Sequence, residues 1–532
     1  MKKNENKKLR IIANYILGIS FILFSYGISN AQKSPSTKGM NVIFIMADDL
    51  GWSDTELYGT TSLYKTKNIE RLAERGLTFT NAYAASPLCS PTRATILSGQ
   101  SSARNGVLSA VGHLPTVHLK PKVSFQKTTG GDKASEVASA TRLNTDLPTL
   151  GKLLKNKGYA TGHFGKWHLG TEPYSPLEHG FDVDIPHTNG PGPGGGYLAP
   201  WSYKNFKPNS ADEHIEDRMS KEAVAWMNAM NGDQPFYMNY WMFSVHGPWG
   251  AKEDLIDKYR RKIDTTQLQR SPSYAAMVHS LDDAVGTLLD EVDRLGITDN
   301  TVIIFFSDNG GTKHIRLREH TTSGEEFHAR VTHNTPLKGG KATMFEGGIR
   351  VPCVIVWPGL TSPGSRTDAR IQSTDFYPTL LNLLGASIPK DHLVDGVDFS
   401  PVFHDSNWQR NQPMFSYFPA PPRGVPDWLP PAMSVHDGDW KLIRLFHQGE
   451  NQEHDYLLYN LVKDIGETNN LASKHPKRVK EMDALIEIHI EETNSIVPLL
   501  NPNFNPAKYQ PELIGISTQN QLLNVNAKRR GK

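Results

Sequence analysis

Cysteine is scarce in this chain. Its 532 residues include only Cys89 and Cys353, which allows one disulfide at most. Charge of one sign is lacking as well. The 57 Lys and Arg against 55 Asp and Glu leave a formal net charge of +2. No global field therefore argues for nucleic acid, and an anionic ligand would have to be drawn in by local residues. There is no internal repeat, and one long apolar stretch stands out, Ile11 to Ile28. It follows Lys2, Lys3, Lys7, Lys8 and Arg10 and precedes Ser29-Asn30-Ala31, which is the pattern of a signal peptide cleaved after Ala31. The run is near the lower length limit for spanning a bilayer, so no stable membrane anchor is expected. No cysteine near the cleavage site supports lipid anchoring. A mature chain starting at Gln32, periplasmic or secreted, is the expectation.

The remainder reads as an α/β protein. Asn41 to Ala47 is a continuous apolar run of strand length, the signature of a parallel strand buried on both faces. Ile69, Leu72 and Ala73 recur at helical spacing before Gly76, and a second helix is predicted over 147–156. Further strands are predicted over 159–164, 236–243, 301–306 and 351–357, with a helix over 274–295. Strands alternating with helices predict a large mixed, mainly parallel sheet flanked by helices. Beyond about residue 400, strand-like pieces at 440–445 and 455–459 precede a helix over 476–492. They predict a smaller C-terminal antiparallel sheet plus helix. The expected division is 1–31 as signal peptide, 32–400 as the main unit and 401–532 as the smaller one. Asn189 to Gly196 is a glycine- and proline-rich loop, and Pro413 to Pro431 holds seven prolines and reads first as a linker.

Reactive groups on an open parallel sheet collect beyond the carboxyl ends of its strands. Asp48-Asp49 follow the first strand, and Asp308-Asn309 follow the 301–306 strand. Three carboxylates and an amide oxygen suit Ca²⁺ or Mg²⁺, and suit zinc poorly without histidine or thiolate at ligand spacing. The two cysteines sit in different settings. Cys353 lies in an apolar strand, where it acts as a small hydrophobe. Cys89 lies among Pro, Ser and Thr ahead of a helix-like segment, in Cys89-Ser90-Pro91-Thr92-Arg93 with Gly99 six residues on.

That pattern resembles the signature of the type I formylglycine-dependent sulfatases, arylsulfatase-like members of the alkaline phosphatase superfamily. Six more blocks resemble the same family in order: 42–51, Gly165-Lys166-Trp167-His168-Leu169-Gly170, Ser307-Asp308-Asn309-Gly310, 339–352, 375–380 and Leu458-Tyr459-Asn460-Leu461. The likeness runs from about residue 40 to 475. Thr92 stands where Ser is more usual, Lys338 where Arg is frequent and Ala342 where Gly is common.

The resemblance implies that Cys89 is oxidised by a formylglycine-generating maturation enzyme to 3-oxoalanine, whose hydrate is the nucleophile. Asp48, Asp49, Asp308 and Asn309, with residue 89, would hold Ca²⁺. Arg93 would steady the hydrate. Lys166, Lys341 and His246 would bind the sulfate oxygens, with His246 or Lys341 as acid to the leaving alkoxide. His168 would help a sulfated hemiacetal collapse to sulfate and aldehyde. The implied substrate is a sulfated poly- or oligosaccharide such as ulvan, carrageenan or a glycosaminoglycan. Cationic and ionisable residues between Gly311 and Pro336 could bind a second acidic group, and the aromatics of 413–431 could stack on sugars. Two other readings share these residues: a phosphonate monoester or phosphodiester hydrolase using the same modified cysteine, and a sulfated-glycan-binding protein that keeps the thiol.

Overall fold

The structure is a computed structural model that describes residues 39–516, apart from 231, 233 and 406. The expected signal peptide lies outside the described residues. The chain forms strands β1 (Asn41–Ala47), β2 (Leu77–Tyr83), β3 (Lys122–Ser124), β4 (Glu136–Ala138), β5 (Ala160–Gly165), β6 (Val183–Ile185), β7 (Phe236–Trp241) and β8 (Thr301–Ser307). It continues with β9 (Arg316–His320), β10 (Glu326–Arg330), β11 (Arg350–Val356), β12 (Ser365–Gln372), β13 (Met414–Phe418), β14 (Ala432–Asp437), β15 (Trp440–Leu445) and β16 (Asp455–Asn460).

An eight-stranded sheet in the order β12-β2-β11-β8-β1-β7-β5-β6 carries the main unit. β1 pairs in parallel with β7 and β8, and all seven of its residues are buried. Successive side chains of a strand point to opposite faces, and β1 shows the consequence. Ile43 and Ile45 join one hydrophobic cluster, with the helices Lys67–Arg75, Ile215–Ala229 and Pro272–Arg294. Val42 and Phe44 join the other, with Cys89–Ser98, Leu150–Asn156 and Phe376–Leu383. Each such fully buried aliphatic or aromatic side chain stabilises the fold by about 1.5–3 kcal/mol. A strand buried on both faces has no polar alternation to show, which is why the 41–47 run is continuous.

One strand runs against the rest. β11 is antiparallel to both neighbours, β8 and β2, whereas β12 is parallel to β2. The amino end of β11 therefore lies at the same edge as the carboxyl ends of β1, β5, β7 and β8. The segment leading into it, including Lys341, is delivered to that edge.

β13 to β16 form a four-stranded antiparallel sheet covered by the helix Pro476–Thr493, as the sequence predicts. Met482 and Ile486 of that helix pack on Val435 and Leu442. The other face, through Phe418, Ile443 and Leu445, packs on Leu88, Ala342 and Phe345. The linker reading of 413–431 fails over Met414–Phe418, which is the outer strand β13. An edge strand tolerates flanking prolines because its outward N–H groups need no ladder partner. Within the 311–336 segment β9 and β10 pair as a hairpin.

Candidate active site

Cys89 opens a ten-residue helix, Cys89–Ser98, whose every residue is buried and which stops at Gly99 in the left-handed region (φ 67°). Arg93 lies four residues on, so it sits one turn later on the same helix face. Its guanidinium is fully buried. Nε and Nη2 donate to Asp308 Oδ2 at 3.0 and 2.7 Å, and Nη1 donates to the Lys166 carbonyl at 2.7 Å. The helix bearing residue 89 is thereby tied to the ends of β8 and β5.

The carboxyl ends of the strands supply the other groups. β1 ends at Ala47, and the chain turns through Asp48 and Asp49, the latter at a positive φ of 66°, a conformation Asp tolerates better than most residues. The Asp49 N–H donates to Asp308 Oδ1 at 3.1 Å. Asn309 Nδ2 donates to Asp49 Oδ1 at 2.8 Å, and Thr312 Oγ1 donates to Asp49 Oδ2 at 3.1 Å. Lys166 follows β5 and donates to Asp48 Oδ2 at 2.5 Å. Lys341 donates to Asp49 Oδ2 at 2.7 Å. His246 follows β7, and its Nδ1 lies 2.6 Å from the Gly247 carbonyl, which accepts from it. That bond turns Nε2 toward Asp49 Oδ2, 3.9 Å away. His168 Nδ1 stands 3.4 Å from Cys89 Sγ. Every site residue expected from the sequence thus meets at one edge of the sheet.

Burial governs the electrostatics. It pushes the Asp48 carboxyl up against the pull of Lys166, and pushes Asp308 to about 6. It would raise Asp49 too, but Lys341, His246 and Lys166 outweigh it and hold that carboxyl well below its usual range. Burial raises the Cys89 thiol despite Lys166 and Lys341. It depresses His168, with Lys166 adding to the effect, and brings His246 down to about 3.

Ligand atoms of Asp48, Cys89 and Asp308 lie within 4.8 Å of one another, as do those of Asp48, Asp49 and His246. Asp48 Oδ1 and Asn309 Oδ1 are buried acceptors without a hydrogen-bond partner. Orphaned acceptors of that kind carry a full desolvation penalty unless something positive sits beside them. Hard oxygen donors with spare lone pairs fit a divalent cation of the calcium or magnesium type. No disulfide joins the cysteines, both of which are free and buried.

Sequence reasoning missed three contributors. Thr312 bonds Asp49, Ser90 Oγ donates to the His168 carbonyl at 2.7 Å, and His113 Nδ1 lies 2.8 Å from His168 Nε2. Ser90 could have been found from its place inside the Cys89 motif. His113 sits in a loop with no periodicity and left no signal.

This is the strand-end site of a sulfatase. The family model for sulfatases matches residues 40–386, and the chain belongs to that family, with the alkaline-phosphatase-like fold and sulfuric ester hydrolase activity. A second model, the C-terminal part of N-sulphoglucosamine sulphohydrolase, matches residues 340–494. A sulfatase from Formosa agariphila is 29% identical over 540 residues, covering 89% of this chain and 91% of its own. Human N-acetylgalactosamine-6-sulfatase is 30% identical over 407 residues, covering 74% and 70%. The crystal structure of Ps i-CgsB in complex with k-i-k-neocarrahexaose shares the fold, with a TM-score of 0.67 at 23% identity over 92% of this chain and 98% of that one.

Proposed function

We propose that this sulfatase is exported and removes sulfate from a sulfated poly- or oligosaccharide, a sulfated galactan or a glycosaminoglycan, through a formylglycine at position 89. The observation that carries the reading is the convergence of Asp48, residue 89 and Asp308 within 4.8 Å, with Arg93, Lys166, His168 and Lys341 around them. A relative named for N-acetylgalactosamine 6-sulfate and a fold neighbour holding a carrageenan-type hexaose support the saccharide class. The basic and apolar N-terminus supports export, and no helix among the described residues is long and apolar enough to cross a membrane.

Asp48, Asp49, Asp308 and Asn309, with residue 89, would hold Ca²⁺, which supplies Lewis-acid stabilisation of charge on the sulfate oxygens. Arg93 holds the helix start in place through its bonds to Asp308 and Lys166. Lys166 and Lys341 offer ammonium groups to the sulfate where negative charge develops in the transition state. Lys341 or, once protonated at Nε2, His246, both facing Asp49 Oδ2, gives the leaving alkoxide its proton. His168 Nδ1 takes the proton of the second hydroxyl of the sulfated hemiacetal. An unmodified side chain at 89 would have no second hydroxyl, so its ester could not collapse this way.

The test is release of inorganic sulfate from N-acetylgalactosamine 6-sulfate, carrageenan oligosaccharides, ulvan and chondroitin sulfate, with calcium and after chelation. The aldehyde at 89 is first confirmed by mass, and Cys89→Ala is the control. Release that needs calcium and vanishes in the control is expected. Phosphodiester hydrolysis without sulfate release by aldehyde-bearing protein would overturn the sulfatase reading, and a retained thiol would overturn the formylglycine.

A further inference from the structure

His168 is 1% exposed and touches residue 89 with one ring nitrogen, so its other nitrogen decides which way it works. That nitrogen, Nε2, lies 2.8 Å from His113 Nδ1, and the two rings meet edge to edge, with centroids 5.1 Å apart and planes 28° apart. Two neutral imidazoles at that distance share one hydrogen. Either His168 donates through Nε2 and keeps a lone pair on Nδ1, or His113 donates and His168 Nδ1 carries the proton. Only the first arrangement leaves a base facing residue 89.

The loop bearing His113 is built to hold this contact. A Cβ at Gly112 would lie 2.0 Å from the His168 carbonyl oxygen, so only a glycine backbone packs there. The Gly112 carbonyl accepts from Arg142 Nη1 at 2.7 Å and from Asn189 Nδ2. Asn189 Oδ1 in turn accepts the Gly170 N–H at 3.0 Å, just past His168. Arg142 Nη2 donates to the Leu114 carbonyl at 2.6 Å, on the far side of His113. The loop is fastened on both sides of the residue, and its ring reaches solvent where His168 does not.

We propose that His113 is a positioning residue for the second half of the reaction. It accepts the Nε2–H of His168, fixes that tautomer and aims the Nδ1 lone pair at residue 89. The inference rests on the formylglycine reading above. Cys89 Sγ marks where an oxygen on the same Cβ would stand. In the step it serves, the free hydroxyl of the sulfated hemiacetal gives its proton to His168 Nδ1. The O–H electron pair becomes the carbonyl π bond, and the C–O bond to sulfate breaks with its pair leaving on sulfate. Third residues orient catalytic histidines in the same way on other scaffolds.

The experiment compares His113→Phe, which keeps a planar ring and loses the acceptor, with His113→Asn, whose Oδ1 stands where the imidazole Nδ1 stood. Full-length protein is co-produced with the maturation enzyme, the aldehyde is confirmed by mass, and 4-nitrophenyl sulfate is the probe because its leaving group needs no acid. His113→Phe is expected to lose kcat by about 10- to 100-fold, the usual cost of an orienting partner, with KM falling in step so that kcat/KM is held. Its residue-89 peptide should carry a sulfuryl group at steady state, because formation of the hemiacetal outruns its collapse. His113→Asn should recover most of kcat and show no adduct. Equal losses in the two variants, an unchanged kcat in His113→Phe, or a loss without the adduct would each overturn the positioning role. A thiol at 89 in the unmutated protein would instead overturn the formylglycine reading, so the two failures are distinguishable.

Discussion

Two clusters of buried charge behave differently. At the active site Asp48, Asp49 and Asp308 face Arg93, Lys166 and Lys341, yet Asp48 Oδ1 and the neighbouring Asn309 Oδ1 have no partner. Beneath the C-terminal sheet, Glu346 and Glu467 face Lys441 at 3.1 and 2.8 Å. There Glu346 Oε2 also accepts from the Tyr83 hydroxyl at 2.9 Å, and Glu467 Oε2 accepts the Glu346 N–H at 2.6 Å. Three carboxylate oxygens of the second cluster accept hydrogen bonds, and the fourth, Glu467 Oε1, makes none but has the Lys441 ammonium 2.8 Å away. The difference separates two uses of buried charge. The second cluster joins β15 to the segment that carries Lys341 into β11. The first keeps acceptor capacity unspent, which stabilises nothing in the protein alone and serves whatever binds there.

The sharpest way to break this comparison is Asp48→Asn. The amide keeps an oxygen for Lys166 but loses the charge. Sulfate release should fall on the order of 1,000-fold, while the melting temperature under chelation stays level or rises, because burial already disfavours the carboxylate. A lowered melting temperature would show that the active-site cluster is structural after all. Lys441→Met should do the reverse. It removes the shared cation of two fully buried carboxylates, leaving Glu346 with Arg350, His436 and Tyr83, and should cost about 3–5 kcal/mol in urea unfolding, whatever the calcium concentration. A loss under about 1 kcal/mol would erase the distinction.

Asp54 offers the smallest and cleanest contrast, a buried carboxylate with neutral donors. It accepts from Tyr274 Oη at 2.8 Å, the Gly51 N–H at 2.9 Å and Thr332 Oγ1. Burial pushes it up to about 7 from an ordinary 3.8. Because the folded value is the higher one, the folded state binds the extra proton between those limits. Its contribution is full below about pH 4, declines by up to about 1.4 kcal/mol per pH unit toward pH 7, and is flat above. Subtracting the urea-unfolding profile of Asp54→Asn from that of the unmutated protein should isolate that slope, and a flat difference would refute it.

Much of this was legible before the fold was known. β1 over Asn41–Ala47 coincides with its apolar run, since a strand buried on both faces inside a parallel sheet is mostly apolar, and β15 over Trp440–Leu445 coincides with the strand-like piece of the sequence. The four acidic and amide residues could be picked out because they follow strands, and Cys89 with Arg93 by their short spacing on one helix face, whereas Lys166, His168, His246 and Lys341 were named only through the family resemblance. Met414–Phe418 was hidden by surrounding prolines, which mark an edge strand as readily as a linker. The β9–β10 hairpin was hidden by its charged residues.

By itself the sequence determined the strand and helix periods, the family and the chemical identity of the reactive groups, because these depend on side chains and on spacings of a few residues. Only the tertiary structure decided that β11 runs antiparallel and brings Lys341 to the strand ends. It also decided that Lys441 closes a buried ionic cluster 95 residues from Glu346, and that His113 touches His168 across a separation of 55. Contacts of that kind are set by chain crossings and the packing of loops, and no local pattern of residues encodes them.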